Sequence, residues 1–151
     1  MAMAEERPRI SVRNIKLGYL KLEDGTFIVQ RVAVVDARPV SVESPFGVDF
    51  DLVVLSGISP HPSREVLEEL KDRPALRPGE QPPESWRPLK IVEKESAVEE
   101  VEYFDEEVGR YLIRVEIEPL MVSLNTGARA PKGEPLYVVR WAPKATWTKI
   151  E

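Results

Sequence analysis

The stretch Arg110-Tyr111-Leu112-Ile113-Arg114-Val115-Glu116-Ile117-Glu118 puts Tyr111, Ile113, Val115 and Ile117 on one parity and Arg110, Arg114, Glu116 and Glu118 on the other. Successive side chains of a strand point to opposite faces, so this is the pattern of a strand with one face in a core and one in water. Such alternation belongs to antiparallel sheets. Upstream, Ser96 to Asp105 fits either a helical stripe or a strand. It is read here as a strand, because Asp105 to Gly109 then forms a turn into Arg110. Downstream, Pro119 marks an edge or a bulge and Leu120 to Leu124 resumes the strand. Asn125 to Pro135, with Gly127 and Gly133, reads as a flexible loop. Leu136 to Trp141 is a further strand, and Thr146 to Ile150 adds a last one.

The amino-terminal half repeats the theme. Ile10 to Leu22 and Thr26 to Val35 flank Glu23-Asp24-Gly25, a hairpin pattern with Asp-Gly in the turn. The second arm is apolar on both parities at its far end, which predicts a central strand covered on both faces. Pro39 and Pro45 bracket a turn, after which Val48, Phe50, Leu52, Val54 and Ile58 share the parity of a core face. One helix follows, with Ser63 as N-cap, Val66, Leu67 and Leu70 as its apolar stripe and Pro74 as its stop. Arg73 to Pro88 carries five prolines and reads as a stiff excursion pinned by Trp86, and Pro88 to Glu93 as a short strand. The expected fold class is mainly β, or α+β: an antiparallel barrel or sandwich of about seven or eight strands, with one short helix and a long proline-rich loop. Residues 1–8 read as a flexible tail and residues 9–151 as a single β-rich domain.

Length and composition bound the function. At 151 residues and 17.1 kDa the chain has the size of one domain. A compact monomer of this mass exposes roughly 7,700 Å². Apolar residues at 42% and charged residues at 31% exclude a disordered chain on one side and a membrane protein on the other. The longest apolar runs, such as Val32–Val35 and Leu52–Leu55, are too short to cross a bilayer, and Met1 to Arg9 lacks a signal-peptide core. A cytoplasmic location follows by default. Cysteine is absent, which removes disulfides, Cys-ligated zinc, iron–sulfur clusters and thiol nucleophiles. The chain has two Gln, two Asn, no Cys and 14 Pro, a depletion of thermolabile residues that fits a hyperthermophile. The glycines never reach a phosphate-cradling spacing, so no nucleotide cofactor is expected.

Four sets of residues could carry chemistry. Asp49 and Asp51, at i and i+2 on one strand, share a face and could hold Mg²⁺ or Mn²⁺, although a solvated strand face gives the same pattern. His61, the single histidine, stands between Pro60 and Pro62 just before Ser63, which it could polarise, but flanking prolines also stiffen ordinary loops. Glu93 to Glu107 holds eight carboxylates, among them Glu99, Glu100, Glu102, Asp105, Glu106 and Glu107. They are either a docking face for a basic partner or a solvated face. Arg129, Lys132, Arg140, Lys144 and Lys149 interleave with Tyr137, Trp141 and Trp147, the composition of a single-stranded nucleic-acid surface. Tyr137, Val139 and Trp141 also share a core parity, which leaves Trp147 as the exposed aromatic. The first functional reading is a non-catalytic binding or assembly module with a protein partner or self-association. The alternatives are a single-stranded nucleic-acid binder and a metal-dependent carboxylate enzyme. The net charge of −5 repels phosphate at long range.

Overall fold

A computed structural model describes residues 9–150, and the expected amino-terminal tail, 1–8, lies outside them. Nine strands and one helix follow in order: β1 (Ile10–Lys16), β2 (Gly18–Leu22), β3 (Phe27–Ser44), β4 (Gly47–His61), α1 (Arg64–Leu70), β5 (Trp86–Leu89), β6 (Ile91–Glu95), β7 (Ala97–Asp105), β8 (Gly109–Arg129) and β9 (Pro135–Lys149). All strand pairings are antiparallel and form two sheets that face each other without closing into a barrel. No helix among the described residues is long and apolar enough to cross a membrane.

Each sheet is built on one long strand. In the first, β8 pairs with β9 along one edge and with β7 and then β5 along the other, while β1 lies outside β7. In the second, β3 pairs with β4 along its whole length and with β2 over its first residues, and β6 lies outside β2. The two sheets share a corner. Lys16 stands opposite Val98 and Tyr19 opposite Glu95, so β1–β2 and β6–β7 hold one register as they bend from sheet to sheet at Leu17 and Ser96. Gly18 makes the bend. A Cβ there would lie 2.5 Å from the Ala97 nitrogen and 2.6 Å from the Glu95 carbonyl oxygen. Both are backbone atoms that cannot step aside.

Two apolar clusters fill the space between the sheets. Val32, Val34, Phe50, Val101, Tyr103, Tyr111, Ile113 and Val115 belong to the larger one, and Phe50 meets the rings of Tyr103, Tyr111 and Trp147 edge-on at 5.0, 5.3 and 5.5 Å. Leu20, Ile28, Val66, Leu70, Leu124 and Tyr137 belong to the second, which α1 caps. Ser63 accepts from the Val66 amide at 3.3 Å as N-cap, and Arg87 of β5 holds Glu69 with two bonds of 2.7 and 2.9 Å. Between the clusters, Gln30 is fully buried and donates through Nε2 to Ser56 Oγ at 3.1 Å. The proline loop is pinned along the end of β8. Asn125 donates to the Pro83 carbonyl at 2.8 Å, and the Leu76 amide to the Arg129 carbonyl at 2.9 Å.

Several expectations are corrected. β3 is central in its sheet but covered on one face only: Arg31 and Val35 are exposed. It runs on through Pro39, where its register against β4 slips, and the turn falls at Ser44–Gly47. Residues 125–129 continue β8, so the expected loop shrinks to the turn at 130–134. Leu136 to Ile150 is a single strand, β9, to Lys149. Leu67 points to solvent. The bulge expected at Pro119 is present as a slip against β9, and Lys94 donates to the Pro119 carbonyl at 2.9 Å.

The corner makes a direct test. Gly18→Ala should lose about 1–3 kcal/mol or more in urea unfolding, because the added methyl overlaps backbone. Gly57→Ala, whose Cβ would meet nothing within 4 Å in the single chain, should leave stability measured at high dilution unchanged or raise it by up to about 1 kcal/mol.

Candidate functional site

The acidic stretch divides by strand parity. Ala97, Glu99, Val101 and Tyr103 point inward from β7, and Glu99 is only 2% exposed. Its Oε1 accepts from the Val34 amide at 2.9 Å, where β3 slips register against β4 between Val34 and Asp36. Glu99 is therefore removed from the docking face: it satisfies a backbone donor that the bulge leaves without a ladder partner. Glu100 and Glu102 lie on the outer face. Glu100 accepts from Asn14 at 3.3 Å, and Glu102 stands 3.2 Å from Arg13 and 2.9 Å from Arg110. Asp105 builds the β7–β8 turn by accepting from the Glu107 and Val108 amides at 2.8 Å each and from the Tyr103 hydroxyl. Glu106 and Glu107 are exposed in that turn. Burial pushes the Asp105 carboxyl up, but these three donors outweigh it and hold its pKa below the usual 3.8. Burial, with Asp105 beside it, pushes the Tyr103 hydroxyl up to about 12.

The Ser63 hydroxyl is committed to capping α1. His61 is exposed at the end of β4, opposite Phe27, with the ring centroids 6.3 Å apart. Asp51 is exposed and stands opposite Arg38 across the β3–β4 ladder. Among the described residues, Asp49 and Asp51 belong to no cluster of three metal-ligating side chains.

The basic and aromatic set is spread along β9, whose length is on the order of 45 Å. Arg129 and Lys132 lie at one end, by the turn into β9, and Lys149 at the other. Arg129 donates to the carbonyls of Arg73 and Gly133 at 2.8 and 3.2 Å. Arg140 contacts Met121 Sδ at 3.8 Å. Lys144 bonds Glu118 at 2.7 Å, which raises the lysine pKa and lowers that of the carboxylate. Trp147, expected to be the exposed aromatic, is half-buried. Its ring packs on Phe50 and its Nε1 donates to the Val48 carbonyl at 2.6 Å.

The structure brings together a site that charge and motif reasoning missed. β4 and β9 end their sheets on the same side of the molecule, and between them runs an open cleft of about 470 Å³. Phe50, Leu52, Val54, Trp141, Pro143 and Trp147 line it. At its end stands the β3–β4 turn, where Phe46 is 81% exposed. Among the described residues no strand pairs with the outer edge of β4, which runs beside this cleft and from Leu52 to Pro60 carries no charged residue. The one trace of this in the sequence is the apolar run Leu52–Leu55. No family model, curated protein or solved structure matches the chain.

Three substitutions separate the roles of these carboxylates. Glu99→Ala leaves the buried Val34 amide without an acceptor and should cost about 1–3 kcal/mol in chemical unfolding. Glu100→Gln, on the outer face, should change stability by less than about 0.5 kcal/mol. Because the folded pKa of Asp105 lies below its usual 3.8, its contribution is present above that value and is lost as pH falls through the lowered one. Asp105→Ala should therefore destabilise at neutral pH and flatten the acid limb of the unfolding midpoint plotted against pH.

Proposed function

We propose that this protein is a non-catalytic binding or assembly module, and that its site is the apolar cleft together with the adjoining edge of β4. The two sheets are read as a sandwich left open along β4 and β9. The ligand class is an extended polypeptide segment, adding main-chain hydrogen bonds to the β4 edge. The depletion of thermolabile residues supports a hyperthermophile source, and a cytoplasmic location is taken by default.

The observation that carries this reading is the chemistry of the sheet edges. Soluble proteins protect an exposed edge with charge, proline or a bulge. β1 carries Arg13 and Lys16, β5 carries Arg87 and Pro88, β6 carries Glu93, Lys94 and Glu95, and β9 carries Arg140, Pro143, Lys144 and Lys149. β4 carries Asp49 and Asp51 near its start and Pro60 near its end, but its Leu52–Ser59 stretch has neither charge nor proline and adds exposed Val53 and Leu55. Such an edge is an aggregation hazard unless a strand covers it.

A photo-crosslinking residue placed at Leu55 in the intact chain tests the site. It should give polypeptide adducts in cells, while the same residue at Arg114, on the outer face of the other sheet, should give few. The reading fails if Leu55 yields no polypeptide adduct, or if its adducts disappear on nuclease treatment.

A further inference from the structure

We infer that the segment covering the β4 edge is β4 of a second copy, paired antiparallel about a two-fold axis at Ser56. This rests on the binding-module reading above and names its partner. A two-fold pairing asks one strand to complement itself, and the sequence of β4 does so in this register. With the axis at Ser56, Leu55 stands opposite Gly57 of the other copy, Val53 opposite Ser59, and Asp51 opposite His61. All six are odd-numbered residues of β4 and lie on its outer face, where the strand's burial alternates.

Each of these pairs is complementary. Leu55 is 59% exposed, and the space where a Gly57 Cβ would point is empty to 4 Å. The large side chain of one copy thus lies over the notch of the other. Val53 meets a small hydroxyl residue in the same way. Asp51 supplies a carboxylate to the His61 imidazole, so the one acidic residue in the paired stretch meets the one residue that can donate to it from a ring. No like charges face each other. On the inner face, Val54 meets Ile58 and Leu52 meets Pro60, all apolar. A two-fold axis normal to the sheet keeps both inner faces on one side, so the two four-stranded sheets become one of eight and the two clefts adjoin.

The absence of cysteine makes the register testable without background. Two single variants of the full chain, Val53→Cys and Ser59→Cys, should form a disulfide-linked dimer when mixed and oxidised. Neither should do so alone, because like positions lie six residues out of register. Sedimentation equilibrium of the unmodified chain at tens of micromolar should show a dimer. Leu55→Lys and Gly57→Val, both at exposed positions, should each weaken it by about tenfold or more while circular dichroism stays unchanged. A chain that stays monomeric, a dimer indifferent to both substitutions, or a cross-link formed by either single variant as readily as by the mixture would overturn the pairing. A monomer whose Leu55 photo-adduct is a different polypeptide overturns only the self-pairing. A monomer with no polypeptide adduct overturns the module reading as well.

Discussion

The approach of Gly18 to the backbone at Glu95–Ala97 is the constraint on which the rest of the architecture depends. Two sheets can share strands only where a pair of neighbouring strands bends together. Here β1–β2 and β6–β7 do so in one register from Asn14 to Lys21, across the bend. A side chain at position 18 would force the pair apart at its bend. With the corner closed, β7 lies over β3, the larger apolar cluster forms between them, and the opposite side of the molecule is left open between β4 and β9. The corner and the cleft are therefore two ends of one geometry: the sheets meet at Leu17 and Ser96 and splay where Trp141 and Trp147 stand.

Charge inside this frame serves the backbone more than it serves a ligand. Glu99 answers a donor released by the β3 bulge, Lys94 answers the carbonyl of Pro119, and Asp105 answers two amides of the β7–β8 turn. A buried carboxylate on one sheet accepting from the other also fixes their relative position, since slippage would leave both groups unpaired. The dense acidic stretch thus owes much of its composition to irregular backbone and to Arg13, Asn14 and Arg110 beside it.

Much of the fold was legible in the sequence. The alternation in β8 and β4, the Asp-Gly hairpin, the capped helix and the slip at Pro119 are local, and local pattern records them. The long reach of β3, β8 and β9 was not, because proline and glycine interrupt the text where the strands only bulge. Glu99 hid for a related reason. Nothing local distinguishes it from Glu100, and the partner that draws it inward lies 65 residues away. The cleft was legible only as half-buried positions, since Trp141 and Leu52 read as core whether or not a second layer covers them. Trp147 read as exposed because it stands near the terminus, outside the core parity of Tyr137, Val139 and Trp141, whereas a carbonyl of β4 and the ring of Phe50 hold it down.

The pairing of the first strands with β6 and β7 has a consequence for how the chain assembles. The β3–β4, β7–β8 and β8–β9 hairpins join neighbours in sequence and can close early, at small cost in chain entropy. β2 can pair with β3 at once, but β1 and the outer edge of β2 find β7 and β6 only after more than half the chain has been made, and that partner must already present both halves of a bent edge. Closing so large a loop comes late and slowly, in the manner of chains rich in non-local contacts. Until it closes, the inner faces of two preformed hairpin units stand open to water, so on the ribosome this protein passes through an interval in which its future interior is its surface.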